Sequence, residues 1–131
     1  MLSKTYQTGD WKGEKHVPYI KAPETVTAGE NFEVTVHIGE EIGHPNTLEH
    51  YIAWMKLYFQ PEGSNYPVEV GTFTFAAHGE YDVFCEPQIT AVMQAKKSGT
   101  LYAASYCNIH GLWENKQELT EIGRASCRER V

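Results

Sequence analysis

Apolar and polar residues alternate most cleanly from Phe32 to Ile38, where Phe32, Val34, Val36 and Ile38 share one face and Glu33, Thr35 and His37 the other. A period of two is that of a β-strand with one face on a core, and it turns His37 toward solvent. Residues 51–59 are aromatic-rich and apolar on both faces, which predicts a central strand. A third strand is expected over Tyr66 to Phe75, with Val68, Val70 and Phe73 directed inward. A fourth is expected over Ile89 to Ala95 and a fifth over Thr100 to Tyr106, joined by a hairpin turn at Lys96-Lys97-Ser98-Gly99. Another begins at Leu112 and runs to Thr120. A short strand at Pro23-Glu24-Thr25-Val26 ends in the turn Ala28-Gly29-Glu30.

Between these segments the pattern is irregular. Residues 1–12 suit a short helix or an irregular lead-in. Glu14 to Pro18 reads as an exposed loop or edge segment, because Pro18 holds Val17 extended. Gly39 to Glu49 is a long polar connection, and Ala76 to Pro87 is a loop with His78 as a surface or hydrogen-bonding residue and Cys85 as core or loop filler. Short strands with turns every few residues, and no amphipathic helix, predict an all-β sandwich in one domain. The last eleven residues, 121–131, break this pattern: three arginines and two glutamates stand there without strand periodicity. They resemble translated sequencing adapter. We therefore expect a single domain over 1–120 and a non-native tail over 121–131, and leave Cys127 out of the chemistry.

Composition narrows the field. A 131-residue chain with 41% hydrophobic and 21% charged residues can enclose a real core. No apolar run approaches a membrane span of roughly 20 residues, and Met1-Leu2-Ser3-Lys4 opens no secretory signal, so a cytoplasmic protein is expected. The net charge of −6 argues against a nucleic-acid partner. Three cysteines, Cys85, Cys107 and Cys127, form no disulfide framework. A thiolate ligand in a reducing compartment suits them better.

The chemistry collects around Ser105-Tyr106-Cys107-Asn108-Ile109-His110-Gly111-Leu112-Trp113. Cys107 and His110 can face one ion if the backbone curls between them, and Asn108 and Gly111 both tolerate left-handed angles. Upstream, His16, His44 and His50 each stand in a turn-forming context. His44 and His50 are six residues apart, too far along a strand and on divergent faces of a helix. A loop that curls back unites them; Pro45 keeps His44 extended and Asn46 can cap a turn. Four imidazoles and one thiolate exceed a tetrahedral zinc site. A blue-copper site takes two His, one Cys and an axial Met, and no Met follows His110. Nitrogen-rich ligation with one thiolate and an open position suits iron. A non-catalytic metal-binding or electron-transfer sandwich remains an alternative, and a Cys107/His110 hydrolase is the weakest one, since it leaves three histidines unexplained.

Three motifs in order, Glu14-Lys15-His16-Val17-Pro18, His44-Pro45-Asn46-Thr47-Leu48-Glu49-His50 and Cys107-Asn108-Ile109-His110-Gly111-Leu112-Trp113-Glu114, closely resemble those of superoxide reductases of the neelaredoxin and desulfoferrodoxin family. The resemblance runs from about Lys12 to Thr120. It implies an immunoglobulin-like β-sandwich holding a mononuclear non-haem iron. His16, His44, His50 and His110 match the equatorial ligands and Cys107 the axial one. Glu14 matches a carboxylate that takes the sixth position in the ferric state, and Lys15 a cation beside the open site. The implied reaction is reduction of superoxide to hydrogen peroxide, with electrons from an external donor such as rubredoxin and a homotetramer as the assembly. The loop over 76–87 is short for that family, and the chain shows no cysteine-rich rubredoxin-like module, as in the one-iron class.

Overall fold

The computed structural model describes residues 1–123 and folds them into two sheets. Strands β1 (Pro18–Lys21), β3 (Phe32–Ile38) and β6 (Gln88–Met93) form one, in the order β1-β3-β6. The other is built from β2 (Thr25–Thr27), β4 (Ile52–Pro61), β5 (Val68–Thr74), β7 (Gly99–Cys107) and β8 (Gly111–Ile122), in the order β2-β8-β7-β4-β5. Neighbours are antiparallel except β2 and β8, which run parallel. This is the expected β-sandwich.

The alternation read from the sequence is what fills it. In β3, Val34, Val36 and Ile38 are buried, and they face Met55, Leu57, Leu101, Ala103 and Leu119 in one core cluster. Burying one such aliphatic side chain contributes about 1.5–3 kcal/mol, so the two sheets are held chiefly by these contacts. β4 is central, as its two apolar faces foretold, with β5 and β7 on either side. Its outer face carries Trp54, stacked on Tyr106 at 6.0 Å, with the Lys56 ammonium 4.8 Å above the indole.

Several expectations need correction. Lys96 to Gly99 is no hairpin: β6 pairs with β3 and β7 with β4 and β8, so this turn carries the chain from one sheet to the other. Local turn chemistry cannot distinguish the two cases. Val68 is exposed, because β5 is a sheet edge. Glu14 to Pro18 leads into an edge strand, as one of its two readings had it, but it is not exposed: His16, Val17 and Pro18 are buried, and Pro18 opens β1 against Ile38. Residues 1–12 form the expected irregular lead-in, with a 3₁₀ turn at Leu2–Lys4 before Gln7 pairs with Trp113. β8 passes the expected end at Thr120, because Val26 and Thr27 of β2 pair with Glu121 and Ile122. The rest of the expected tail, from residue 124, lies outside the described residues.

Candidate metal centre

β7 and β8 form a hairpin whose last pair is Cys107 with Gly111. The chain turns through Asn108, Ile109 and His110, and Gly111 closes the turn at φ +83°, a conformation that suits glycine. Asn108, expected to share that left-handed geometry, is not among the residues with positive φ. It acts through its side chain instead. Its Oδ1 accepts from Tyr51 N–H at 2.9 Å and its Nδ2 donates to Glu49 O at 3.0 Å, while its own N–H donates to Tyr51 O at 3.2 Å. Three bonds thus stitch the Cys107–His110 turn to the segment carrying His50. The curl also brings the His110 N–H onto Cys107 Sγ at 3.4 Å.

His44 and His50 stand in the irregular connection between β3 and β4. A short turn aims His50: Thr47 N–H donates to His50 O and Thr47 Oγ1 accepts from His50 N–H, both at 3.0 Å. His44 is fixed by Nδ1 donating to Pro45 O at 2.6 Å. Asn46, expected to cap a turn, reaches outward to Cys85 O and His78. His16 precedes β1 and lies flat on Trp113, 4.8 Å between centroids and 12° between planes. The Trp113 indole N–H and the Gln7 amide both donate to His110 O, at 3.2 and 2.8 Å.

Four of the predicted donors converge, and His110 stands beside them. The donor atoms of His16, His44, His50 and Cys107 lie within 4.8 Å of one another. Around them the four rings close a quadrilateral: His16–His44 4.8 Å, His44–His50 4.8 Å, His50–His110 5.0 Å and His110–His16 4.7 Å, with His16–His50 at 6.3 Å across it. His110 presents Nδ1, 3.1 Å from His16 Nε2 and 3.9 Å from Cys107 Sγ. A spacing near 3 Å is what two adjacent nitrogens would have if each sat about 2.1 Å from a shared ion. The Nε2 atoms of His44 and His50 are buried and without any hydrogen-bond partner. Buried polar atoms are almost always partnered, so these two are aimed at a group that must bind there. A metal ion satisfies them, and the donor set fits iron.

The electrostatics agree. Burial pulls His44 down to about 4, and burial likewise lowers His16 and His50. All three are therefore neutral donors at neutral pH, the state that ligation requires. The Lys15 cation bears on each of them in the same direction. Glu14 accepts from His16 Nδ1 at 2.7 Å and from the His16 N–H at 3.1 Å, and the Nδ1 bond holds its carboxyl below the ordinary range. That contact fixes the tautomer that leaves Nε2 free for a metal. It was not foreseen from sequence.

The remaining histidines are elsewhere. His37 is bonded to Glu40 at 2.7 Å on the outer face of β3. His78, expected at the surface or in a hydrogen bond, is buried and hydrogen-bonded. Cys85 is exposed rather than core.

A β-sandwich that gathers four imidazoles and one thiolate at the end of its central hairpin defines the class: a protein organised around one mononuclear metal centre. The desulfoferrodoxin family model matches residues 8–116, and the chain belongs to that family. It is 52% identical over 126 residues to the superoxide reductase of Pyrococcus furiosus, covering 91% of this chain and 99% of that one. To the neelaredoxin of Megalodesulfovibrio gigas it is 48% identical over 119 residues, covering 86% and 92%. Among solved structures, the reduced superoxide reductase (neelaredoxin) of Archaeoglobus fulgidus superposes with a TM-score of 0.82 at 49% identity, over 88% of this chain and 98% of that one.

Proposed function

We propose that this protein is a superoxide reductase: superoxide takes up one electron and two protons and leaves as hydrogen peroxide. The observation that carries the reading is the pair of buried, unpartnered Nε2 atoms of His44 and His50, converging with His16 and Cys107. We assign His16, His44, His50, His110 and Cys107 as the residues that would hold the iron. The ring quadrilateral, with a single sulfur near its members, supports that assignment. Iron bound there would supply the electron by changing between the ferrous and ferric states.

The chain's own residues do the rest. Four neutral imidazoles and one thiolate leave a ferrous centre singly positive and a ferric centre doubly positive. Cys107, fully buried, would place a thiolate charge against the metal and raise the electron density available there. Lys15 counteracts the repulsion of an anion by an acidic protein. Glu14 orients His16 in the arrangement seen here; we assign it a second role as a carboxylate that the more positive ferric centre would attract. Protons come from water at the exposed His110 edge.

A small one-electron carrier such as rubredoxin restores the electron, and we take the assembly to be a homotetramer. No described helix is long and apolar enough to cross a membrane; a reducing cytoplasm suits the thiolate. The test is metal analysis of anaerobically purified protein with a stoichiometric superoxide-consumption assay. About one iron per chain is expected, from one site of five donors, with a thiolate-to-iron band that Cys107→Ser abolishes. Full activity in zinc-loaded protein would sink the redox reading.

A further inference from the structure

His78 is a histidine the centre does not use, yet only 5% of its surface is exposed. Both ring nitrogens meet acceptors: Nε2 lies 2.7 Å from Phe75 O and Nδ1 2.9 Å from Asn46 Oδ1. A carbonyl can only accept, so Nε2 donates. The orientation of Asn46 is set by its other end, where Nδ2 donates to Cys85 O at 3.0 Å. Its Oδ1 therefore faces His78 Nδ1.

The ring stacks on Tyr51 at 3.9 Å and 12°. The Glu80 carboxylate accepts from the His78 backbone N–H at 2.7 Å.

What this holds is the weak end of the metal centre. The connection between β3 and β4 carries two of the donors without strand structure of its own. At its His50 end it is tied down by Asn108. At its His44 end the corresponding tie is Asn46, bonded to Cys85 O and His78. We propose that His78 is a positioning residue that anchors the His44 end of this connection to the loop over 76–87 through Asn46. The inference rests on the iron reading above.

The experiment compares iron-loaded wild type with His78→Ala, Asn46→Ala and the double variant. It reads chelator-driven iron loss, the ferric thiolate band and amide exchange over residues 44–50. Each single variant should lose iron about tenfold faster, the lower end for outer partners of metal ligands. The double variant should lose it no faster than the worse single one, because one chain of contacts is being cut. Amides from His44 to Thr47 should exchange faster while β4 and β7 stay protected. Additive effects, or wild-type iron loss in Asn46→Ala, overturn the proposal. Asn46 is half-exposed, so that variant decides the matter even if His78→Ala does not fold. Wild type that takes up no iron would remove the iron reading alone, since amide exchange over residues 44–47 tests the brace without it.

Discussion

Removing the Asn108 side chain should separate fold stability from metal retention. Asn108→Ala deletes two bonds, the one accepted from Tyr51 N–H at 2.9 Å and the one donated to Glu49 O at 3.0 Å. It leaves the backbone bond from Asn108 N–H to Tyr51 O in place. A net hydrogen bond is worth about 0.5–1.5 kcal/mol, so the pair amounts to about 1–3 kcal/mol. For a chain of this length 1 kcal/mol moves the melting point by about 4 °C. Metal-free Asn108→Ala should therefore melt about 4–12 °C below wild type. Iron should suffer beyond that loss. The two bonds hold the His50 segment against the Cys107–His110 turn, so without them the donors must be gathered at the moment of binding. Iron loss to a chelator should rise by about tenfold or more, as for other outer partners of metal ligands.

The control is Asn31→Ala. Asn31 accepts from Gln94 at 2.9 Å on the exposed surface, with no contact to the donors. It should leave iron loss unchanged. If metal-free Asn108→Ala melts like wild type and the iron-loaded form keeps its metal as long, Asn108 is not a staple. The centre would then be held by its hairpin and its rings alone.

Lys15→Ala should slow the second-order reaction with superoxide at low salt and flatten its salt dependence, with iron content unchanged, because salt screens such a charge over about 8–10 Å. An unaltered rate at low salt removes Lys15 from the encounter. For Glu14, comparing Glu14→Ala with Glu14→Gln divides its two roles. Both should open the ferric form to azide while sparing the first step with superoxide, but only the alanine variant, lacking an acceptor for His16 Nδ1, should speed iron loss; equal iron loss in both refutes the orienting role. Metal-free protein should also lose stability in acid. His44 is held at about 4 against an ordinary 6.5, so the unfolded chain takes up its proton first as pH falls. The contribution is complete above about 6.5 and is lost between there and about 4. Urea unfolding across that range checks it, and a flat profile refutes it.

The strands and the turns that bring His16, His44, His50 and Cys107 together were legible because each leaves a mark within a few neighbouring residues. Alternation from Phe32 to Ile38 records a face, and His44-Pro45-Asn46 with Cys107-Asn108-Ile109-His110 record turns that gather donors. What was illegible depends on partners far along the chain. Lys96 to Gly99 has hairpin chemistry, yet β6 joins β3 and β7 joins β4. Glu121 and Ile122 look like the start of a tail until β2 is found beside them. Val68 alternates correctly but stands on an edge strand, where it stays exposed. Asn108 was valued for backbone freedom, whereas its side-chain amide, matching Tyr51 and Glu49 from 57 and 59 residues away, is what the site uses. His78 was legible as a hydrogen-bonding residue but not as a buried one, since one of its partners, Asn46, lies 32 residues upstream.

These distances in sequence also divide the centre into a part that the fold builds and a part that must be held. Cys107 is fully buried at the end of a ladder shared by β4, β7 and β8, so its sulfur is placed by the same contacts that make the sandwich. His110 follows within one turn of that hairpin, and His16 is pressed flat on the buried Trp113. His44 and His50 have no such support, and the two asparagines flanking them in space, Asn46 and Asn108, stand in for the missing strand. An amide side chain suits the task because it offers a donor and an acceptor at once and imitates a backbone peptide. The unpartnered Nε2 atoms fall on just those two histidines. Desolvating them without a partner costs about 1–3 kcal/mol each, so the metal-free fold carries its strain in the connection that the clamps hold and not in the hairpin. Metal binding relieves that strain where the chain is least able to position itself, which is why the clamps matter more to iron than to the fold.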